Sequence, residues 1–336
     1  MTSQADRYEI IGLYGSPYSM KLLALMRYRR LPHIWTTMLP ELSSRKFSVR
    51  PLLLPILRFP DGSERIDSTP LALELEQRHP DGRSVLPTAP LTRFLCLLLE
   101  DFADEWLTKA MFHYRWNYAE DVQYCSAWVA SDVSPEATRA ERQVIAAELA
   151  KRQVARLELV GCSSDNIPII ELTFKSLMEL LSRHLDENLF LLGSRPSLAD
   201  FAFFGQLSQL ATDPVPARLM RTEAQALFDW TRRMSDLSGL PVGEWDEEPL
   251  AKPTIAKLVD LVANVYLPYL IANAEAVDAG EDRFMLPIGG VSYCQASFRY
   301  QRGCLFELRR YYAELIAGQA LEQFLPMDVC RALAQS

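Results

Sequence analysis

The fold is decided by the first long apolar stretch of the chain, residues 8–30, which reads YEIIGLYGSPYSMKLLALMRYRR. Its opening part, Tyr8–Tyr14, is dominated by apolar residues and predicts a buried strand. Gly15-Ser16-Pro17 follows and predicts a tight turn. Tyr18–Arg30 then carries apolar residues at the three- and four-residue spacing of a helix. A strand, a tight turn and a helix are therefore expected at the start of the chain.

The next residues predict the rest of a small sheet and a helix that covers it. Strands are expected over Ile34–Leu39 and Leu52–Phe59, and Pro60-Asp61-Gly62-Ser63 predicts a hairpin turn between the second of these and its successor. The returning strand covers Glu64–Asp67 and leads into a helix over residues 68–79. A crossover followed by a hairpin and a covering helix implies a mixed sheet with helices packed on it.

From Leu91 onward, helical periodicity replaces the strand signals and predicts an all-α bundle. The predicted helices cover Leu91–Trp116, Pro135–Leu159, Ile167–Leu185, Leu198–Ala211 and Thr222–Met234. A joint rich in proline and acid, Pro241–Pro253, separates this bundle from a final stretch. That stretch predicts a helix, a strand pair and a second helix, over Thr254–Ala276, Arg283–Ile288, Val291–Tyr300 and Cys304–Ile316. The fold class is α/β plus all-α, with a helix-hairpin-helix extension at the C-terminal end.

Composition and charge exclude several classes of function. The 43 acidic and 35 basic side chains give a formal net charge of −8, so binding of nucleic acid through a basic face is not expected. No membrane association is expected either, because the uncharged stretch Leu261–Ala274 is shorter than the ~20 residues of a spanning helix. The 6 cysteines and 4 histidines show no metal-ligand spacing, so we expect no metal site and a reducing, cytoplasmic location.

Four motifs follow one another along the chain. They are LYGSPYSMK at 13–21, LLPIL at 53–57, RIDSTPLAL at 65–73 and GSRPSLADFAFFGQL at 193–207. Their order and spacing resemble those of the cytosolic glutathione transferases, and over residues 8–240 the chain resembles this family in its bacterial type. The resemblance implies a thioredoxin-like, glutathione-binding domain at 1–84 and an all-helical domain at 90–240. Residues 241–336 form an extension beyond the usual length of the family.

Ser16 lies where the resemblance implies the group that activates the thiol of glutathione. The thiolate is the nucleophile, and a hydroxyl donor together with a helix N-terminus favours the ionised sulfur. Ser followed by Pro is also an ordinary N-cap with proline at the first helical position. The residues leave both roles open for Ser16, and Tyr14, Tyr18 and Ser19 are nearby alternatives as the donor.

Asp67 and Ser68 resemble the pair that holds the γ-glutamyl end of the tripeptide. The Ser68 hydroxyl and the start of the following helix can hold a carboxylate, and Asp67 can accept from the ammonium group. The family more often has Glu or Gln before this serine, so Asp67 has a shorter reach. A helix cap at Ser68 or Thr69, with Pro70 in the first turn, is the alternative.

Leu54 and Pro55 match the segment whose proline is cis in this family. The resemblance implies that the Leu54 backbone pairs with the cysteinyl part of glutathione like an added strand. Lys46 and Arg50, in the basic loop before this segment, are candidates for the glycyl carboxylate. A solvated loop charge is the alternative for each of them.

Tyr18, Tyr114 and Trp116 are the candidates for contact with the second substrate. Such aromatic residues more often pack in a core. A further hypothesis is that the extension caps this cleft with Arg299 and Tyr300. Ser197 and Asp200 have the pattern of a capping box and are not expected to act in catalysis.

The resemblance implies a homodimeric enzyme that joins glutathione to a small hydrophobic electrophile. Glutathione serves as a co-substrate rather than as a resident cofactor. The alternative from another class is a non-catalytic binding or interaction module of the same fold. Disulfide reduction would require a cysteine at the position of Ser16.

Overall fold

A four-stranded mixed sheet forms the N-terminal layer of the structure, a computed structural model that describes residues 7–37, 47–80, 82–315 and 325–334. Its strands are β1 (Tyr8–Gly12), β2 (His33–Thr37), β3 (Ile56–Arg58) and β4 (Glu64–Ile66). The spatial order is β2-β1-β3-β4, with β2 parallel to β1 and the β3–β4 hairpin antiparallel. Helices α1 (Pro17–Tyr28) and α2 (Ser68–Arg78) accompany the sheet. The predicted thioredoxin-like arrangement is confirmed.

The two faces of this sheet bury different residues because side chains alternate along a strand. Ile10 and Leu57 belong to the main core, together with the apolar residues of α1 and α2. Ile11 and Ile56 point to the other face and pack with Phe47. Both faces are thus covered, and the loop after β1 lies at the edge that meets the bundle.

A helical bundle follows the sheet. Its helices are α3 (Pro90–Phe102), α4 (Thr108–Asn117), α5 (Ala119–Val133), α6 (Arg139–Val154), α7 (Ile167–Leu185), α8 (Leu198–Leu210), α9 (Pro214–Glu223) and α10 (Gln225–Arg233). The prediction of one helix over Leu91–Trp116 is wrong, because a π-helical turn at Ala103–Leu107 separates α3 from α4. Helices α5 and α9 were not predicted, since their first turns mix acidic, polar and proline residues that resemble a loop.

Helix α8 lies at the centre of the molecule and is apolar around most of its circumference. It begins with a capping box in which Ser197 Oγ accepts from the Asp200 N–H and Asp200 Oδ2 accepts from the Ser197 N–H. A Cβ at Gly205 would lie 2.6 Å from the carbonyl oxygen of Pro17, so α8 approaches the start of α1 as only glycine allows. Folding of α8 therefore fixes the position of the β1–α1 loop.

The C-terminal extension is a third packed layer. It contains α11 (Pro253–Ala279), the hairpin β5 (Arg283–Ile288) and β6 (Val291–Ala296), α12 (Arg299–Ala313) and α13 (Met327–Ala334). The predicted second strand, which extended to Tyr300, is too long, and Tyr300 belongs to α12. By length and composition α11 could cross a membrane, but 56% of its most apolar window is buried within the protein. It packs on α3, α7, β5 and α12 as a core helix does.

Candidate functional site

A cavity of about 620 Å³ lies where the sheet, the bundle and the extension meet. The β1–α1 loop and the segment before β3 form one side of it, and α4 and α6 form the opposite side. The extension closes it with Gln295, Phe298 and Gln301. We call this space the Ser16 cavity, because Ser16 lines it at the start of α1.

Ser16 is both the N-cap of α1 and a wall of this cavity. Its Oγ accepts a hydrogen bond from the Ser19 N–H at 3.3 Å, and Pro17 occupies the first turn. A hydroxyl that accepts in this way still has its own hydrogen to donate. The capping role and the donor role that the sequence left open are therefore compatible in this geometry.

The nearby alternatives to Ser16 are engaged elsewhere. Tyr14 is 45% exposed, and its ring centroid lies 5.1 Å from that of Trp35. Ser19 is fully buried, and its Oγ accepts from the Leu13 N–H at 3.4 Å. Tyr18 lines the cavity, but its hydroxyl donates to the Asp104 carbonyl at 3.1 Å, and burial raises its pKa.

The Leu54–Pro55 peptide bond is cis, which is the isomer that the resemblance implies. Leu54 lines the Ser16 cavity, and its backbone makes no hydrogen bond within the part of the chain that the structure describes. Arg50 donates to the carbonyl oxygens of Phe47 and Val49, at 3.1 and 2.6 Å. Lys46, the other candidate for a carboxylate, lies outside the described residues.

Asp67 adopts a backbone conformation that is rare for a residue with a side chain. Its φ is 76° and its ψ is 114°, just before the start of α2 at Ser68. Residues held in such regions cost about 1–3 kcal/mol and cluster at functional sites. The helix already begins at Ser68, so its N-cap is Asp67 rather than Ser68 or Thr69, and Asp67 makes no side-chain cap bond, which disfavours the alternative of an ordinary cap at Ser68 or Thr69.

Asp67 does not line the Ser16 cavity. It lines a second cavity of about 600 Å³. Arg299, Tyr300 and Cys304 of the extension line this second cavity as well, and so do residues of α3. The Tyr300 hydroxyl donates to Asp67 Oδ2 at 3.1 Å in an exposed contact. The hypothesis that Arg299 and Tyr300 line the cleft beside Ser16 is therefore wrong. Phe298 and Gln301 lie in that wall because the helical turn sends Arg299 and Tyr300 to the other side.

Of the aromatic candidates on α4, Trp116 lines the Ser16 cavity and Tyr114 does not. Tyr114 is 5% exposed, and its ring packs against Tyr118 and Phe174 in the bundle core. Phe112 and Trp116 share one face of the helix at a spacing of four residues, whereas Tyr114 falls between them on the opposite face. The assignment of Tyr114 to the second substrate is thus corrected.

A buried ion cluster joins α1, α2 and α3. Lys21 Nζ donates to Glu100, to Asp104 Oδ2 at 2.6 Å and to Thr69 Oγ1 at 3.1 Å. Burial alone would lower the pKa of Lys21, but the two carboxylates outweigh it and raise that pKa. No motif in the sequence predicts this cluster, although a lysine within the apolar run of α1 is a signal for it.

Further carboxyl groups on the same turns are buried with few opposite charges. Burial raises the pKa of Asp101, which accepts from the Tyr266 hydroxyl at 2.7 Å, to about 7. Burial also raises the pKa of Glu105, which accepts from Gln301 at 2.7 Å, to about 8. Tyr266 and Gln301 belong to the extension, so the extension covers these groups.

Lys109 lines the Ser16 cavity from α4 and is 2% exposed. Its Nζ donates to Gln295 Oε1 at 2.8 Å and to the Val160 carbonyl at 3.1 Å. Both partners are neutral, and burial lowers the pKa of Lys109 to about 8. No sequence motif marked this residue, because its partners come from the α6–α7 connection and the extension.

The loop that carries Ser16 is held by two side chains of the bundle. Arg115 donates to the Gly15 carbonyl at 3.0 Å, and Gln209 Nε2 donates to the Tyr14 carbonyl at 3.0 Å. Arg115 is itself paired with Asp213 at 2.7 Å and with Gln209 Oε1 at 2.8 Å. These contacts connect α4 and α8 to the backbone immediately before Ser16.

Comparisons with known proteins give one match to a family model. Residues 164–233 match the model described as glutathione S-transferase, C-terminal domain. This segment contains α7, α8, α9 and α10. No curated protein matches the chain.

Among solved structures, the chain is similar to the β-etherase LigF from Sphingobium sp. strain SYK-6. The identity is 17%, the match covers 75% of this chain and 98% of that one, and the TM-score is 0.47. A glutathione S-transferase from Methylobacterium radiotolerans, in complex with glutathione sulfonate, is 19% identical over 75% of this chain and 93% of its own, with a TM-score of 0.39. A glutathione transferase from Pseudomonas putida, with glutathione disulfide bound, is 15% identical over 76% and 92%, with a TM-score of 0.39.

Proposed function

We propose that this chain is a member of the glutathione S-transferase family, which the match at residues 164–233 supports, and that it activates the thiol of glutathione beside Ser16. The activated tripeptide is transferred to a small hydrophobic electrophile in the same cavity. The observation that carries the proposal is the geometry of Ser16, which caps α1 by accepting a hydrogen bond and lines the cavity with a hydroxyl hydrogen free to donate.

A donor at this position has a defined chemical effect. The free cysteine thiol has a pKa near 8.5 and is mostly protonated at neutral pH. Lowering that pKa by about two units requires about 2.7 kcal/mol of preferential stabilisation of the thiolate. One hydroxyl donor and the positive end of the α1 dipole can together supply it.

The rest of the tripeptide would use the neighbouring elements. The Leu54 backbone, next to the cis bond to Pro55, makes no hydrogen bond to any described residue and can pair with the extended cysteinyl segment. The start of α2 at Ser68 can hold a carboxylate, and Asp67 can accept from the ammonium group. Tyr300 contacts Asp67 at the surface and would share it with the ligand. Lys46 remains the proposed partner of the glycyl carboxylate.

The proposed reaction is a nucleophilic substitution. The thiol proton passes to solvent, and the Ser16 hydroxyl keeps its own proton while donating to the sulfur. A new carbon–sulfur bond forms as the leaving group departs with the electron pair of the old bond. Trp116 and Phe298 give the cavity apolar walls for the electrophile.

A second candidate function is a non-catalytic module of the same fold. The observation that favours it is the hydrogen bond from Tyr300 of the extension to Asp67, at the position proposed for the ligand ammonium. The proposal also includes a homodimer, which rests on the family resemblance. A cytoplasmic location rests on the spacing of the cysteines, and domain boundaries near residues 84–90 and 240 rest on the change from strand to helical periodicity and on the joint Pro241–Pro253.

Calorimetry with glutathione and a conjugation assay with chlorodinitrobenzene test the proposed function. We expect wild type to bind glutathione and to catalyse the conjugation. Ser16→Ala should lower kcat/KM by about tenfold or more, because each unit of thiol pKa changes the thiolate fraction about tenfold. The lost cap should also lower the free energy of unfolding by about 1 kcal/mol.

Thr138→Ala is the matched control for the loss of a cap. Thr138 caps the exposed start of α6 with the same side-chain bond, so its removal should cost a similar free energy of unfolding. The control should leave conjugation unchanged. No binding at millimolar glutathione would favour the non-catalytic module. An equal loss of turnover in Ser16→Ala and Thr138→Ala would show that Ser16 acts only as a helix cap.

A further inference from the structure

The charge of the Ser16 cavity is opposite to that of the whole protein. The chain has a formal net charge of −8. Nevertheless, the charged residues that line the cavity in the described structure are Lys109, Arg115, Arg152, Arg156 and a single acid, Glu105. A cavity lined mainly by one sign of charge attracts ligands of the other sign.

Arg115 and Glu105 contribute little to the net charge of the cavity. Asp213 neutralises Arg115 in a bidentate pair, with oxygens at 2.7 and 3.2 Å. Glu105 accepts from Gln301, and burial raises the pKa of Glu105 to about 8, so its carboxyl is mostly protonated at neutral pH. Neither side chain therefore neutralises Lys109, Arg152 or Arg156.

Among the residues that the structure describes, the ammonium group of Lys109 has neutral hydrogen-bond partners in place of a counter-ion. Two carbonyl oxygens accept from it, and the Tyr269 hydroxyl lies 3.5 Å from Nζ. The ring centroids of Tyr269 and Trp106 lie 4.7 and 5.7 Å from Nζ. Burial of a cation without an opposite charge is unfavourable, and a bound anion would remove that penalty.

Two further cations that line the cavity are exposed to solvent. Arg152 lies in the last turn of α6, and Arg156 lies in the turn just after the helix ends at Val154. Arg156 donates to Gln153 at 3.5 Å, and within the described residues neither arginine forms an ion pair. Their guanidinium groups are thus available to attract an anion towards Lys109.

We infer that the electrophile carries an anionic group such as a carboxylate, which Lys109 binds while the apolar body of the substrate packs on Phe112, Trp116 and Phe298. This inference rests on the proposed function and narrows its substrate class. Arg152 and Arg156 attract the anionic group at the cavity mouth. The extension takes part in the selection, since Gln295 fixes the position of the ammonium.

Paired ligands that differ only in charge test the inference. Binding of dinitrobenzoate and of neutral dinitrobenzamide to the full chain is measured by calorimetry, with and without glutathione. We expect dinitrobenzoate to bind about tenfold more tightly or better, since a hydrogen bond to a charged group is worth more than a neutral one. Chlorodinitrobenzoate should exceed chlorodinitrobenzamide in kcat/KM by a similar factor.

Lys109→Met should abolish the preference for the carboxylate, because Met keeps most of the apolar part of the side chain without its charge. The double variant Arg152→Met, Arg156→Met changes exposed positions and should reduce the preference even if Lys109→Met does not fold. Lys151→Met is the matched control. Lys151 is exposed on the same helix as Arg152 and is not part of the cavity lining, so this variant removes one charge and should leave the preference intact.

The inference fails if wild type does not prefer dinitrobenzoate, or if the preference survives in both Lys109→Met and the double variant. Lys109 would then only connect the bundle to the extension. It also fails if Lys109→Met weakens the binding of glutathione as much as the binding of dinitrobenzoate, because the anion that Lys109 binds would then be a carboxylate of glutathione itself. Binding of dinitrobenzoate without any binding of glutathione would overturn the proposed function and leave the anion site standing.

Discussion

Two backbone carbonyls position the loop that carries Ser16, and both accept hydrogen bonds from the bundle. Gln209 Nε2 donates to the Tyr14 carbonyl, and Arg115 donates to the Gly15 carbonyl. Both side chains are buried, so each bond has a fixed geometry with little competition from water. The distance between the Ser16 hydroxyl and a bound sulfur therefore depends on residues of α4 and α8 that need not touch the substrate.

Gln209→Glu tests whether catalysis depends on these contacts, because it replaces only the Nε2 group that donates to the Tyr14 carbonyl. The variant keeps an oxygen for Arg115 but loses the amide hydrogens that hold the Tyr14 carbonyl. We expect kcat to fall about tenfold, since small displacements of a catalytic group have effects of this size or larger. The pKa of the thiol of bound glutathione should rise, which a purely structural role would not cause.

The absorbance of the bound thiolate as a function of pH measures that pKa directly. Gln143→Glu is the control. Gln143 is exposed on α6, so this substitution introduces the same negative charge away from the loop. A fall in kcat without any change in the thiol pKa would show that Gln209 does not position Ser16.

At the scale of elements, the contact of α1 with α3 depends on the Lys21 cluster. Lys21 is 1% exposed and contacts Glu100 and Asp104, which lie one turn apart where α3 runs into the π-helical turn. Thr69 adds a contact from α2. The cluster thus joins three helices that the sequence separates widely, and it lies between the sheet and the bundle.

Lys21→Met should lower the free energy of unfolding by about 3–5 kcal/mol, because it leaves buried carboxylates without a cation. Denaturant unfolding measures this change. Lys252→Met is the comparison, since Lys252 pairs with Asp246 at 2.6 Å at a partly exposed position and should cost less than about 1 kcal/mol. Adding Glu100→Gln and Asp104→Asn to Lys21→Met should recover most of the loss. Equal costs for the two lysines would contradict the role of burial.

Individual elements differ in how well the sequence predicts them. Ile167–Leu185 was predicted with its true ends, since it carries an uninterrupted apolar stripe and a proline in its first turn. The stretch Leu91–Trp116 has the same periodicity but is interrupted by a π-helical turn. This turn contains Asp104 and Glu105, which contact Lys21 of α1 and Gln301 of α12, and local periodicity does not encode such distant contacts.

At the scale of the whole molecule, the extension shares its core with the bundle. Tyr266 of α11 donates to Asp101, and Gln301 of α12 donates to Glu105. Tyr312 packs edge-to-face on Phe94, with ring centroids 5.6 Å apart. The extension therefore buries carboxyl groups of α3 and of the π-helical turn. Because these carboxyl groups titrate, the stability of the packing between extension and bundle should depend on pH.

Stability should fall as the pH rises from about 4.5 to about 8. Burial raises the pKa of Glu105 from its ordinary value of 4.5 to about 8, so the folded chain keeps a proton that the unfolded chain has already released. One such proton contributes a slope of up to about 1.4 kcal/mol per pH unit. Burial raises the pKa of Asp101 to about 7 and also raises that of Asp104, so both act in the same direction as Glu105.

Glu105→Gln should flatten this dependence and make the variant more stable than wild type at pH 8, because Gln keeps an acceptor for Gln301 without the charge. Unfolding free energies across this pH range provide the measurement. Glu148→Gln, at an exposed position of α6, should leave the slope unchanged. A wild-type slope that Glu105→Gln does not alter would show that Glu105 is ionised in the folded protein.

The sequence by itself determined the β1–α1 turn at Ser16, the capping box at Ser197 and the order of sheet, bundle and extension. These features follow from backbone preferences, caps and periodicity within a few residues. Only the tertiary structure decided that Tyr114 faces the core, that Asp67 and Ser16 line different cavities and that Lys109 faces the Ser16 cavity with neutral partners. Such placements depend on which distant helices meet and how deeply each charge is buried, and neither is a property of any local stretch of the chain.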